Sequence, residues 1–339
     1  MSRQIQPPLK FSNRLNSGTF GDVHGLTAHL ISTKEESSCV LKVIKKGLDP
    51  YQASCSRMQL KNEIIKLSRI SDADPKGLFP VVQFLGVLEP VEGVFGLLAE
   101  RCETDLIEYF KQEKKIASYE QLSSIAKQCI RGLNFLENGV TPPIVHLDFK
   151  SDNILVSSIN PLTIKISDFG LAVDSPQAAC LNPRGCLKTA SPEVALRNAF
   201  DTSADKWSLG CVLFQLRTHR SLFDIQDYQS LVARIHDLAG PIPKERLENL
   251  SNRNQIFEFP EEDSSSVVLK PEFKPTPTVR QHQLLCLHSA DLSQNGPKGF
   301  ESSEAKSFRV FLHGILKINP ADRLSYDQML NHNFITKYS

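Results

Sequence analysis

The sequence predicts an α+β chain, rich in strands up to about residue 100 and mostly helical from about residue 104. The first observation behind this is a set of short apolar runs at 39–44, 79–88 and 94–99. They are rich in Val, Leu, Ile and Phe, as strands are. The second is helical spacing farther on: Leu122, Ile125, Ala126, Cys129, Ile130, Leu133 and Leu136 share one face of a helix over 119–138. The third is the segment 207–216, apolar nearly all round, which predicts a helix inside the core.

The remaining elements follow in order. Residues 10–48 read as strands, with a stretch rich in glycine and small residues over 15–26. A helix is predicted over 57–70, where Leu60, Ile64 (or Ile65) and Leu67 recur on one side. Residues 241–303 are rich in Pro, Ser, Glu and Lys with weak periodicity, and read as a long surface insert with at most short helices. Helical pattern returns at 304–317 and 325–332. No internal repeat is found.

A chain of 339 residues suffices for one large domain, or for two lobes that each bury a core. The net charge of +1 gives no bulk attraction to nucleic acid or membrane, so neither is expected as a partner. The eight cysteines are scattered, without metal-binding spacing, and are expected to be reduced thiols. The N-terminus has no apolar signal core, and no run approaches the ~18 apolar residues of a membrane span. The expected location is the cytoplasm, with the nucleus as the alternative.

The chemistry concentrates between residues 146 and 170. Asp148 and Asn153 stand five apart, and Asp168 follows twenty after Asp148 in Asp168-Phe169-Gly170. Two carboxylates and an amide at this spacing match a known phosphoryl-transfer pattern. Asp148 would orient an acceptor hydroxyl, while Asn153 and Asp168 would supply the hard oxygen ligands magnesium prefers. Lys150 would neutralise the migrating phosphoryl group. Upstream, Gly18 and Gly21 lie in Leu15-Asn16-Ser17-Gly18-Thr19-Phe20-Gly21-Asp22-Val23, where missing Cβ atoms let backbone N–H groups approach a phosphate. An ordinary hairpin turn reads equally well there. Lys42, on a predicted strand, and Glu63, on the following helix, suit a phosphate-binding ammonium fixed by a carboxylate.

With Ser191-Pro192-Glu193, Asp205-Lys206-Trp207-Ser208-Leu209-Gly210 and Asn319-Pro320-Ala321-Asp322-Arg323 added, the chain resembles the eukaryotic-type protein kinases from about residue 10 to residue 336. Lys150, two residues after Asp148, resembles the Ser/Thr kinases. The hinge spacing and the 207–211 segment are similar to the group of cyclin-dependent, MAP and CDC-like kinases. The resemblance implies a two-lobed fold, with a small strand-rich N-lobe at about 10–100 and a larger helical C-lobe at about 104–336. It implies ATP and magnesium as cofactors and a protein bearing Ser or Thr as substrate. It places the nucleotide between Leu15, Val23 and Val40 above and Leu155 below, with Glu100 to Cys102 as the hinge and Asp105 within reach of the ribose. It pairs Glu193 with Arg323 and sets Asp205 under the catalytic-loop backbone. It leaves an activating partner open.

Departures from the pattern qualify what carries over. Asn16 replaces the first glycine, and Leu147 replaces the Arg that receives an activating phosphate. Cys186 replaces a Thr whose hydroxyl would bridge Asp148 and Lys150. Ala190 replaces an Arg, so proline-directed specificity does not carry over. The alternative is a pseudokinase, a nucleotide-binding or scaffold module of the same fold. Retention of Lys42, Glu63, Asp148, Asn153 and Asp168 argues against it. A small-molecule phosphotransferase would share Asp148 and Asn153, but not Ser191-Pro192-Glu193 or Arg323.

Overall fold

Period-two alternation organises the N-terminal half. The chain's structure is a computed structural model that describes residues 5–17, 21–30, 36–91, 94–178, 185–260, 267–274 and 302–338. Gly18 and the side chains of Leu15 and Asn16 lie outside the described residues, as does most of 261–301. Strands β1 (Ile5–Ser17), β2 (Gly21–Leu30), β3 (Glu36–Ile44), β4 (Phe84–Val91) and β5 (Val94–Glu100) form one antiparallel sheet in the order β1-β2-β3-β5-β4. On β3, Cys39 and Leu41 point to one face and close a small cluster with Leu26, Leu85 and Leu98. Alternation therefore turns Val40 and Lys42 to the opposite face, toward the rest of the protein.

Helix α1 (Pro50–Ala73) packs beside this sheet. Its start precedes the predicted residue 57 because Asp49 caps it, accepting the N–H of Gln52 at 2.9 Å, with Pro50 at the first turn. At the other end, Asp74 accepts the N–H groups of Leu78 and Phe79, each at 2.9 Å. The strand expected over 79–88 begins only at Phe84. The earlier part crosses to the C-terminal half instead. There Val82 donates to the Ile166 carbonyl at 2.9 Å, the Ile166 N–H returns to Pro80 O at 2.9 Å, and Phe79 stacks on Phe135.

The second lobe is mainly helical. A short strand β6 (Thr104–Asp105) leads into α2 (Leu106–Gln112) and α3 (Tyr119–Asn138). Ser118 and Gln121 form a reciprocal capping box at the start of α3, and its apolar face is buried as predicted. Strands β7 (Ile144–Val145), β8 (Ile154–Ile159), β9 (Leu162–Ile166) and β10 (Val173–Asp174) surround the central loop; β6, β8 and β9 form one ladder, and β7 pairs with β10. Helix α4 (Pro192–Ala195) precedes α5 (Ser203–Thr218), which is buried nearly all round as 207–216 predicted, with Trp207 at its heart. There follow α6 (Tyr228–Ala239), α7 (Arg253–Ile256), the ladder of β11 (Phe257–Glu258) with β12 (Val268–Leu269), α8 (Ser303–Ile315), α9 (Tyr326–Leu330) and α10 (Asn333–Thr336).

The region after residue 241 is not all surface. Ile242, Leu247, Leu250, Ile256, Phe257 and Leu269 join the main core, so its first part anchors the lobe. Its polar composition hid these few apolar positions, which lack the period of a helix or strand.

One buried ion pair ties α4 to the end of the lobe. Arg323 donates to Glu193 through both ends of its guanidinium, at 2.7 and 2.6 Å, and both side chains are almost wholly buried. Its remaining donors reach Ser203 O at 2.7 Å and Lys317 O at 2.9 Å. Removing one partner strands a buried charge, so Arg323→Ala is expected to cost about 3–5 kcal/mol. Urea unfolding should show a lower midpoint at unchanged slope.

Candidate active site

Three charged groups from distant parts of the chain meet under the sheet. Lys42 Nζ donates to Glu63 Oε2 at 2.7 Å and to Asp168 Oδ1 at 3.0 Å. Strand β3 supplies the lysine, α1 the glutamate, and the turn after β9 the aspartate. Burial works against the Lys42 charge, but Glu63 and Asp168 more than offset it and hold the ammonium above its ordinary range. Burial also opposes ionisation of Asp168, yet Lys42 prevails and keeps that carboxyl below the usual range. Asn62, one residue before Glu63, donates to the carbonyls of Phe169, Gly170 and Ala172 at 3.3, 3.0 and 2.8 Å, tying α1 to this turn.

The second group sits on the loop between β7 and β8. Asp148 Oδ2 accepts from Lys150 Nζ at 2.8 Å and from Asn153 Nδ2 at 2.8 Å. Asn153 Nδ2 also donates to Asp148 O at 2.8 Å. Among the described residues, Asp148 Oδ1 carries no hydrogen bond, so one carboxylate oxygen remains to accept a proton donor. Asn153 has spent its amide nitrogen and keeps Oδ1, a hard oxygen. Asp168 likewise keeps Oδ2.

The loop backbone is strained and held. Leu147 and Asp168 both adopt φ of 63°, left-handed values that bulky or branched residues seldom take. Asp205, on α5, accepts the N–H of His146 at 2.6 Å and of Leu147 at 3.1 Å. His146 Nε2 bonds Ser167 O at 2.9 Å, joining the loop to the turn before Asp168. Gly185, at φ of +97°, lies so close that a Cβ there would fall 2.1 Å from Leu147 O. The Leu147 side chain is buried with Val145, Val194 and Ala204. An apolar cluster thus occupies the place where the resemblance expects an Arg.

The nucleotide-pocket residues fall into place unevenly. Val23, Val40 and Leu155 are half-buried. Val23 lies opposite Lys42, Val40 opposite the buried Ala99, and Leu155 opposite Asp105. Gly21 lies opposite Ile44 at the start of β2. The Glu100 carboxylate is engaged through Oε1 by Gln83 N–H at 2.7 Å and by Lys165 at 3.0 Å, and its backbone N–H donates to Gln83 O at 3.0 Å. Cys102 is half-buried, and burial pushes its thiol up to about 12. Asp105 caps α2, accepting the Glu108 N–H at 2.8 Å through Oδ1.

Sequence reasoning missed Asn62, and with it Lys66, Arg69 and Asp174. Lys66 and Arg69 both reach Asp174 Oδ1 at 2.6 Å. The signal was the spacing 62, 66, 69 on α1, a polar stripe one helical face wide.

The comparisons agree with this geometry. The family model described as "Protein kinase domain" matches residues 9–335, and the chain belongs to the protein kinase family. It is similar to a probable dual specificity protein kinase YAK1 homolog of Encephalitozoon cuniculi, 29% identical over 72% of this chain and 56% of that protein. It is also similar to the serine/threonine-protein kinase ppk5 of Schizosaccharomyces pombe, 25% identical over 95% of this chain and 35% of that protein. Cyclin-dependent kinase 4 of Ovis aries is 34% identical over 44% of this chain and 48% of that protein, which fits the leaning toward the cyclin-dependent group. The chain thus spans about half or less of the length of these curated relatives.

Asp205 gives the site a pH signature. Burial pushes its carboxyl up to about 6, against the two backbone N–H groups. The folded state therefore holds a proton that the unfolded chain releases near pH 4, so stability from this group falls as pH rises from about 4 through about 6. The gap in unfolding free energy between wild type and Asp205→Asn should shift in that sense across the window, measured by urea titration at each pH.

Proposed function

We propose that this protein transfers the γ-phosphoryl group of ATP to Ser or Thr hydroxyls of other proteins. The observation that carries the reading is the contact of Lys42 with Glu63 at 2.7 Å and Asp168 at 3.0 Å, together with Asp148 and its free oxygen. Lys42 would hold the α and β phosphates, its side chain fixed by Glu63. Asp148 Oδ1 would accept the hydroxyl proton as the oxygen attacks phosphorus and the bond to ADP breaks. Lys150 would neutralise charge on the migrating group. The adenine would lie between Val23 and Val40 on one side and Leu155 on the other, against the hinge backbone from Glu100 to Cys102.

The donor set fits magnesium. Asp168 Oδ2 and Asn153 Oδ1 are hard oxygens, and one ammonium faces two carboxylates, which leaves net negative charge beside Asp168. Bound there with ATP, the cation would neutralise developing phosphate charge. Ser/Thr selectivity rests on Lys150 and on the naming of ppk5 as a serine/threonine kinase.

Lys42→Met and Asp168→Ala are each expected to lower phosphoryl transfer to a protein substrate by about a hundredfold or more, the scale of one lost preorganised electrostatic contact. Circular dichroism should show the secondary structure retained, with a lower unfolding midpoint for Lys42→Met because Glu63 loses its partner. Activity within a few-fold of wild type in either variant would sink the assignment.

Activity is also expected without phosphorylation between residues 168 and 193. Leu147 offers no charge for a phosphate to pair with; of the hydroxyls in this segment, Thr189 and Ser191 are buried and Ser175 is half-buried. Phosphatase-treated protein should keep its kcat. A large drop, reversed by rephosphorylation in this segment, would overturn the expectation.

A further inference from the structure

Helix α1 must keep one rotation about its axis for Glu63 to reach Lys42. Glu63 lies beside a stripe of Asn62, Lys66 and Arg69, spaced four and three apart, that faces the β9–β10 segment. Asn62 grips three carbonyls, as described above. Lys66, whose side chain is only 6% exposed, sends its ammonium to Asp174 Oδ1 at 2.6 Å. Arg69 Nη1 reaches the same oxygen at 2.6 Å, while Nη2 donates to Pro142 O. Asp174 sits on β10, opposite Ile144 on β7, two residues before His146. One carboxylate thus joins two successive turns of α1 to the strand pair that carries the catalytic loop. Burial opposes its ionisation, but Lys66 and Arg69 hold its carboxyl below the usual range.

We propose that Asp174 is a positioning residue for phosphoryl transfer, resting on the proposed kinase activity. Through Lys66 and Arg69 it keeps α1 in the rotation that sets Glu63 on Lys42. A loop phosphate paired with cationic side chains can order a segment in this way. Here the anion is written into the sequence, six residues after Asp168, and Leu147 removes the usual phosphate partner. A buried ammonium without a counter-charge is costly, so the contact also sets where the helix can rest.

The test compares wild type, Asp174→Asn and the double variant Lys66→Met/Asp174→Asn. The single variant should lower kcat by about tenfold, within the range for coupled neighbouring groups. It should speed amide hydrogen exchange across residues 62–70. The double variant removes the stranded ammonium, so its Tm should return toward wild type while kcat stays low. If kcat returns with Tm, Asp174 merely neutralises Lys66 and the proposal is wrong. Unchanged kcat and unchanged exchange in Asp174→Asn would also overturn it. Should wild type itself show no ATP-dependent transfer, the kinase reading fails, and the exchange data alone still decide whether Asp174 holds α1.

Discussion

The structure depends on one ammonium shared between two carboxylates. Lys42 is drawn from the sheet, Glu63 from α1 and Asp168 from the turn after β9, and the ammonium bonds both carboxylates. A carboxylate as buried as Glu63 would be strongly destabilising without its partner. The ion pair therefore requires a particular sheet face, a particular helix rotation and a particular turn. The alternation of β3, the cap at Asp49 and the grip of Asn62 all serve that requirement.

The catalytic loop and the turn at Asp168 meet a second constraint, that of backbone strain. Two residues held at left-handed φ cost on the order of 1–3 kcal/mol each. The Asp205 carboxylate, the His146 ring and the close approach of Gly185 hold this loop in place from three sides. Leu147 fits that setting with an apolar side chain among Val145, Val194 and Ala204, where a guanidinium would need a counter-charge. Burial of the loop and of Thr189 go together, because α5 reaches both: Asp205 accepts from the loop, and Ser208 donates to Thr189 O at 2.8 Å.

The two halves of the helical lobe are closed by charge as well. Arg323 and Glu193 form a bidentate pair inside the core, with Trp207 beside the guanidinium at 5.5 Å. Such a pair adds less to stability than apolar residues of equal volume could, but it accepts only one geometry. Together with Lys42–Glu63 and the half-exposed Lys66–Asp174, it forms a set of charged contacts that fix relative positions of elements.

Much of this was legible in the chain itself. Helix α3 ends where its apolar period and caps end, and the burial of α5 followed from its lack of a polar face. Asp148, Lys150 and Asn153 could be assigned together because they lie within one short loop that matches a known motif. The strand expected at 79–88 was misread because its first residues pair with Ile166 in the other lobe, and no local pattern records that. The apolar anchors after residue 241 were hidden for the same reason. The sequence by itself determined which residue types stand in the catalytic loop, because local spacing places them. Only the tertiary structure decided that Lys66 and Arg69 meet Asp174, more than a hundred residues away, since a charge on a helix face has no partner until folding brings one to it.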